Sequence, residues 1–317
     1  MGGTRIFFAT DLHGSDVCFK KFLNAGKVYK ANVIIAGGDI TGKMMIPIVQ
    51  RSDGSYRAFY LGSEKIMRSE AELEVFEKMI RSGGIYPYHT DANEMEELKA
   101  DPAKVEQLFS KLMLERVREW IRLADERLRG TGIKCFIQPG NDDIYAIDQV
   151  FAESATVINP EGTIQQIDER HEMISTGHTN LTPWQCPRDI SEQELQERIE
   201  KMAKQVGDMG NCVFNMHCPP YDTPLDLAPE IDENFTPKVE GGAPKLIPVG
   251  SKAVRESIER YQPLLGLHGH IHESKASVKI GRTLCLNPGS EYGEGILRGV
   301  IVDLPEKGAP KHIFLSG

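Results

Sequence analysis

Apolar positions in this chain come in short runs, and several of those runs end alike. "RIFFATDLHG" (5–14) carries an apolar stretch of strand length into a polar loop. A run apolar on both faces suits a strand buried between two layers. Residues 16–30 space Val17, Phe22, Leu23 and Val28 at helical intervals. "NVIIAGGDITG" (32–42) then predicts a second strand that ends in glycines and an aspartate. The β–α–β order predicts a parallel pair with a helical crossover. Sites in such sheets lie beyond the carboxyl ends of the strands.

The next stretch, 43–130, reads as an insertion. "MMIPIVQRSDGSYRAFYLG" (44–62) places two apolar or aromatic runs around Asp53–Gly54, a hairpin signal. Helical sequence is expected over 68–82 and 92–129, with Val105, Leu108, Leu112, Val117, Ile121 and Leu123 as the apolar stripe. Strand-to-loop junctions resume at "IKCFIQPGNDD" (133–143), followed by a short helix over 144–152 and a hairpin over 163–180. Ser191 and Glu194 form a capping-box pattern that opens a helix over 190–206. "NCVFNMHCPP" (211–220) is another junction, and the Pro-, Asp- and Gly-rich 221–250 reads as a long loop that borders the cleft. A helix over 251–261 leads into "LLGLHGHIHE", and antiparallel strands around Gly281–Arg282, at 296–304 and at 311–315 finish the chain.

Five apolar runs thus end in Asp, His or Asn beside glycine or proline: "TDLHG", "GGDI", "PGND", "MHCPP" and "HGHIH". One such ending is an ordinary turn; five at the same kind of position are not explained by turns alone. Carboxylates offer hard oxygen and neutral imidazoles borderline nitrogen. Asp11, His13, Asp39, Asn141, His217, His270 and His272 are therefore candidate ligands for two divalent metal ions. The mixed donor set suits Mn, Fe or Zn, with Ni or Mg also open. Metals roughly 3.5–4 Å apart repel each other and need bridging anions, here an aspartate and a hydroxide, the hydroxide being the natural nucleophile.

Composition narrows the partners. The net charge of −9 argues against broad nonspecific adhesion to nucleic acid or anionic membrane. A small phosphorylated substrate stays open, because metals supply local positive charge. No apolar run reaches membrane-spanning length, and "MGGTRIFFATD" lacks a signal-peptide pattern. The six cysteines form no C-x-x-C, as expected of reduced buried thiols in a cytoplasmic protein. Neither a Walker loop nor a G-x-S-x-G nucleophile motif is present.

The ordered blocks "DLH" (11–13), "GD" (38–39), "GND" (140–142), His217 and "GHIH" (269–272) resemble the calcineurin-like metallophosphoesterases, whose blocks read D-x-H, G-D, G-N-H-[DE], a lone histidine and G-H-x-H. "NPGS" (287–290) is also similar to that family. The resemblance covers about 5–42, 133–218 and 264–304 and leaves out the insertion. It implies a single domain over 1–317, an α/β fold built as a four-layer α/β/β/α sandwich of two mixed sheets flanked by helices. It implies Asp11, His13 and His272 on one metal, Asn141, His217 and His270 on the other, and Asp39 between them. His268 is then a bystander beside the ligands, with Gly269 letting the backbone break strand alternation.

One block departs from the pattern: Asp142 stands where the family has a histidine that contacts the phosphoryl oxygen and aids the leaving group. A protonated aspartate would replace it; an ionised one would repel a dianionic monoester more than a monoanionic diester. The expected activity is therefore hydrolysis of a phosphodiester or pyrophosphate linkage by in-line attack of the bridging hydroxide. A phosphomonoesterase or protein Ser/Thr phosphatase, and a non-catalytic metal-binding scaffold, are the alternatives. In sequence terms Asp142 is equally well read as a plain helix cap. The insertion either caps the site or mediates self-association into a homo-oligomer. His178 is expected on the surface or lining the cleft, His171 facing solvent, His89 and His312 in structural roles, and Arg282 on the surface.

Overall fold

The computed structural model describes residues 3–306 and 308–317. Two six-stranded mixed sheets face each other. The first runs in the order 311–316, 298–304, 4–9, 33–36, 134–137, 157–158, and the second 276–280, 283–287, 265–267, 212–216, 172–176, 164–166. Strand 4–9 pairs parallel with 33–36, which pairs parallel with 134–137. In the second sheet 172–176, 212–216, 265–267 and 283–287 run parallel.

The continuous apolar runs follow from what lies on either side. Ile6 and Phe8 point into the core between the sheets, with Val33, Ile35, Val213, Leu265 and Leu267. Phe7 and Ala9 point outward onto Phe19, Phe22, Trp120 and Ile121. The helices Glu192–Ala203 and Lys252–Tyr261 cover the outer face of the second sheet through Leu195, Ile199, Val254 and Ile258. This is the four-layer α/β/β/α arrangement. The Ser191–Glu194 capping box closes as expected. No helix among the described residues is long and apolar enough to cross a membrane.

The insertion carries its own four-stranded sheet, ordered 63–67, 56–60, 44–50, 85–90, with Leu73, Phe76 and Ile80 of the helix Glu70–Ser82 packed on it. Strand 85–90 is an addition to the expected elements; Pro87 weakens its signal, and an edge position tolerates the missing N–H. The helix Pro102–Leu128 starts on Asp101, which accepts from Ala103 and Lys104 N–H at 3.1 and 3.3 Å. Its buried side chains are Met113, Val117, Trp120, Ile121, Ala124 and Leu128. Five of these, from Val117 on, belong to the core over the first sheet, so the second half of this helix is part of the sandwich. Trp120 stacks on Phe19 at 4.1 Å and donates to Asp16 at 2.8 Å, a pairing of about 0.5–1.5 kcal/mol beyond area burial. The stretch 221–250 is not a plain loop: 227–229 pairs with 246–248, and 239–240 with 243–244.

Candidate metal centre

The site lies where the central strands of both sheets end. Its first two loops are laced together: Asp11 N–H donates to Gly38 O at 3.0 Å, His13 to Asp39 O at 2.9 Å, and Gly14 to Ile40 O at 2.8 Å. Such lacing needs sharp backbone, and Asp11, His13, Asp39 and His270 all have positive φ, between 39° and 66°. Left-handed non-glycine residues cost of order 1–3 kcal/mol each and cluster at functional sites.

These loops deliver two donor sets. Asp11, His13 and His272 place ligand atoms within 4.8 Å of one another, and so do Asp39, His217 and His270. The Nε2 atoms of His13 and His272 are 3.1 Å apart. The two oxygens of Asp39 lean to opposite sides: Oδ2 is 3.5 Å from His13 Nε2 and Oδ1 is 3.3 Å from His217 Nε2. Asp11 Oδ1 is 3.3 Å from His272 Nε2. His217 Nδ1 faces the Gly37 carbonyl at 3.0 Å, so the ring donates there and its lone pair sits on Nε2.

Asn141 is oriented in the same way. Its Nδ2 donates to Asp189 Oδ1 at 3.0 Å, which turns Oδ1 inward without a hydrogen-bond partner. Buried His217 Nε2 is also unpartnered. Asp143 ties the loops: it accepts from Ile40 and Thr41 N–H at 2.9 and 2.8 Å, from Thr41 Oγ1 at 2.6 Å and from Gly140 N–H at 2.7 Å. Burial, with Asp39 adding to it, pushes the Asp143 carboxyl up to about 6. Gly38 serves close approach: a Cβ there would stand 2.3 Å from His217 Nδ1.

The histidine triplet divides. The strand stops at Leu267, and His268 is fully buried, its Nδ1 facing the carbonyls of Met216 and Cys218 at 3.0 and 3.1 Å. His270 and His272 go to different donor sets. The break in alternation sits at His270, not at Gly269: His270 has φ 66°, and Ile271 N–H donates to Gly269 O at 2.7 Å, a γ-turn centred on His270. Gly269 is needed for space instead, since a Cβ would stand 2.1 Å from Thr10 Oγ1.

Asp142 caps no helix. The nearby helix Ile147–Phe151 has Ala146 at its N-cap and no side-chain cap bond. The Asp142 carboxylate instead meets Lys43 Nζ at 2.5 Å and accepts from Cys186 Sγ at 2.8 Å, while its backbone N–H donates to Asp39 Oδ1 at 3.1 Å. Burial and Asp39 raise its pKa against the pull of Lys43. For Lys43, burial lowers the pKa, and Asp39 and Asp142 more than offset it. Tyr292 packs against His13 and His272 at ring distances of 4.6 and 5.8 Å.

Lys43, Asp143, Asp189 and Tyr292 escaped the sequence reading. Asp143 alone had a signal, as the fourth position of the G-N-H-[DE] block. His178 is buried rather than at the surface, with Nδ1 3.0 Å from Glu161 and Nε2 3.4 Å from Tyr145, and it joins neither donor set. His171 does not face solvent: the hairpin turn folds its ring onto Asp168 at 2.7 Å, and it is buried. His89 is exposed beside Glu77, His312 neighbours Phe314 on strand 311–316, and Arg282 is exposed, bonded to Gln262.

Burial is the largest influence on the donors. It brings His13 down to about 3 and His270 to about 4, keeping both imidazoles neutral with a lone pair to offer. His217 is pushed down by burial, but Asp39 and Asp11 outweigh that and raise it to about 9; a proton and a metal would compete for its Nε2. Burial raises Asp11 and Asp39, and the neighbouring histidines hold both below the usual carboxylate range. Convergent donors, the inward-facing unpartnered atoms of Asn141 and His217, and the anchored ring of His217 fit divalent ions.

No family model matches the chain. An uncharacterised protein of Methanocaldococcus jannaschii, MJ1162, is 29% identical over 153 residues, which are 47% of this chain. The chain spans 61% of the length of that curated relative. The crystal structure of TT1561 of Thermus thermophilus is similar over 99% of this chain and 98% of its own, with a TM-score of 0.54 and 12% identity. Another solved chain reaches a TM-score of 0.57 at 14% identity, covering 98% of both chains. The two solved structures show a shared fold over nearly the whole chain.

Proposed function

We propose that this protein hydrolyses phosphoesters with two divalent metal ions, acting on a phosphodiester or pyrophosphate linkage in a small phosphorylated substrate. The observation that carries the reading is Asp39, whose two oxygens lean toward the two separate donor sets. Asp11, His13 and His272 would hold one ion, and Asn141, His217 and His270 the other, with Asp39 shared. Bound ions of this kind neutralise phosphoryl oxygens and lower the pKa of water. Mn, Fe and Zn are the candidates for this mixed O/N donor set.

The chain's own part is positioning. Anchoring through Gly37 and Asp189 keeps the inward atoms of His217 and Asn141 fixed, so little reorganisation accompanies an in-line displacement at phosphorus. The Asp142–Lys43 pair is neutral as a whole. It adds no net positive charge for the second charge of a monoester, which favours a diester. The resemblance of the motif set supports the same reaction. Six free cysteines support a cytoplasmic setting. The insertion borders the site, with Gly42 N–H on Tyr86 Oη at 2.6 Å and Ser15 Oγ on Ser82 O at 2.5 Å, which favours a capping role over self-association.

The test is metal-stripped protein reloaded with Mn, Fe or Zn and assayed on bis(p-nitrophenyl) phosphate and p-nitrophenyl phosphate side by side. The expected result is metal-dependent turnover with the diester favoured, abolished by Asp39→Asn. A strong monoester preference rejects the diester assignment, and full activity in Asp39→Asn rejects the shared carboxylate.

A further inference from the structure

Lys43 enters the site from the insertion, immediately ahead of strand 44–50. Its ammonium stands 2.5 Å from Asp142 Oδ2, and Asp142 is tied by its backbone to Asp39 Oδ1. Asp142, His13 and Asp39 bring donor atoms within 4.8 Å of one another, so this cation stands next to the carboxylate common to both donor sets. His13 and Asp39 are buried, whereas the Lys43 side chain is 49% exposed. The cation therefore borders the open side, where a substrate would arrive.

We propose that Lys43 is the phosphoryl-binding cation of this site and that Asp142 is the residue that positions it. The inference rests on the phosphoester reading above. An ammonium has three N–H donors and binds phosphate as a point charge. Asp142 is its one ion-pair partner among the described residues, which leaves donors for a nonbridging phosphoryl oxygen. A stem of four carbons is floppy in solvent, and the Asp142 contact holds it at the mouth of the site. Stability does not explain the arrangement. A partly exposed ion pair contributes little to stability, whereas setting Asp142 beside Asp39 crowds two carboxylates at an electrostatic cost. Where the resemblance expects one histidine, this chain divides the work. The loop supplies the holder and the insertion supplies the charge.

A simpler role for Lys43 is to neutralise Asp142. In that case Lys43→Met would weaken anion binding only by baring the carboxylate, and adding Asp142→Asn would restore it. The experiment is calorimetric titration of inorganic phosphate into metal-loaded wild type, Lys43→Met and the Lys43→Met/Asp142→Asn double variant, with metal content and thermal melts checked for each. The expected result is affinity lower by about ten-fold or more in Lys43→Met, still low in the double variant, at unchanged metal content. Recovery in the double variant overturns the proposal, and so does a wild type that binds no phosphate. If the binding pattern holds but no phosphoester is turned over, Lys43 stands as the anion-binding cation and the hydrolase reading falls.

Discussion

Asn141 donates its Nδ2–H to Asp189 at 3.0 Å, and this bond decides which end of the amide faces the candidate metal centre. The same carboxylate accepts from Thr182 and Cys186 N–H at 3.0 and 2.9 Å, so it is itself fixed. In Asp189→Ala the amide is free to rotate. Affinity for the second metal should fall about 10–100-fold, as when other outer partners of metal ligands are lost. Chelator-competition titration measures this, and unchanged affinity would sink the orienting role.

Gly38 tests the packing behind His217. Its φ is +130°, and an added Cβ would meet the imidazole. Gly38→Ala should lose about 2 kcal/mol or more of stability together with any metal that His217 would hold. Gly54→Ala is the control, because Gly54 also has positive φ but open space around it; it should lose about 1 kcal/mol and no metal. Urea midpoints and metal per chain separate the two effects.

Replacing His268 by Gln should leave activity within about ten-fold while lowering the melting temperature, since the ring is buried against two carbonyls. His270→Gln and His272→Gln should each lose about a hundred-fold or more. Equal activity losses across the three would mean that all three histidines bind metal.

Asp168 contributes to the pH dependence of stability away from the candidate metal centre. Burial pushes the Asp168 carboxyl up, but Thr4 and the N–H groups of Arg170 and His171 outweigh it and hold it at about 2. The folded value lies below the unfolded one of about 3.9. Asp168 therefore stabilises the fold above about pH 4, and that contribution fades as pH falls toward 2. The gap in urea midpoint between wild type and Asp168→Asn should be constant from pH 6 to about pH 4 and then narrow. A gap that widens on acidification contradicts the assignment.

The frame was readable, and the candidate donors could be picked out, because burial and chelation each demand particular residues. A strand covered on both faces must be apolar throughout, as in 6–9 and 33–36, and a metal needs Asp, His or Asn. Lys43 and Asp189 were not readable, because one lysine or aspartate looks the same whether it faces solvent or a site. His171 was misplaced because its charged neighbours suggest solvent, whereas the turn closes it onto Asp168. In the helix Pro102–Leu128 the expected stripe began too early. Val105 and Leu108 lie in the half outside the sandwich core, toward the insertion's small sheet, where Phe109 meets Tyr86.

The attachment point of the insertion has an engineering consequence. Only Ile40, Thr41 and Gly42 separate Asp39 from Lys43. A graft cut between Asp39 and Lys43 would exchange the small four-stranded module together with the Lys43 charge, and would leave the seven candidate ligands untouched.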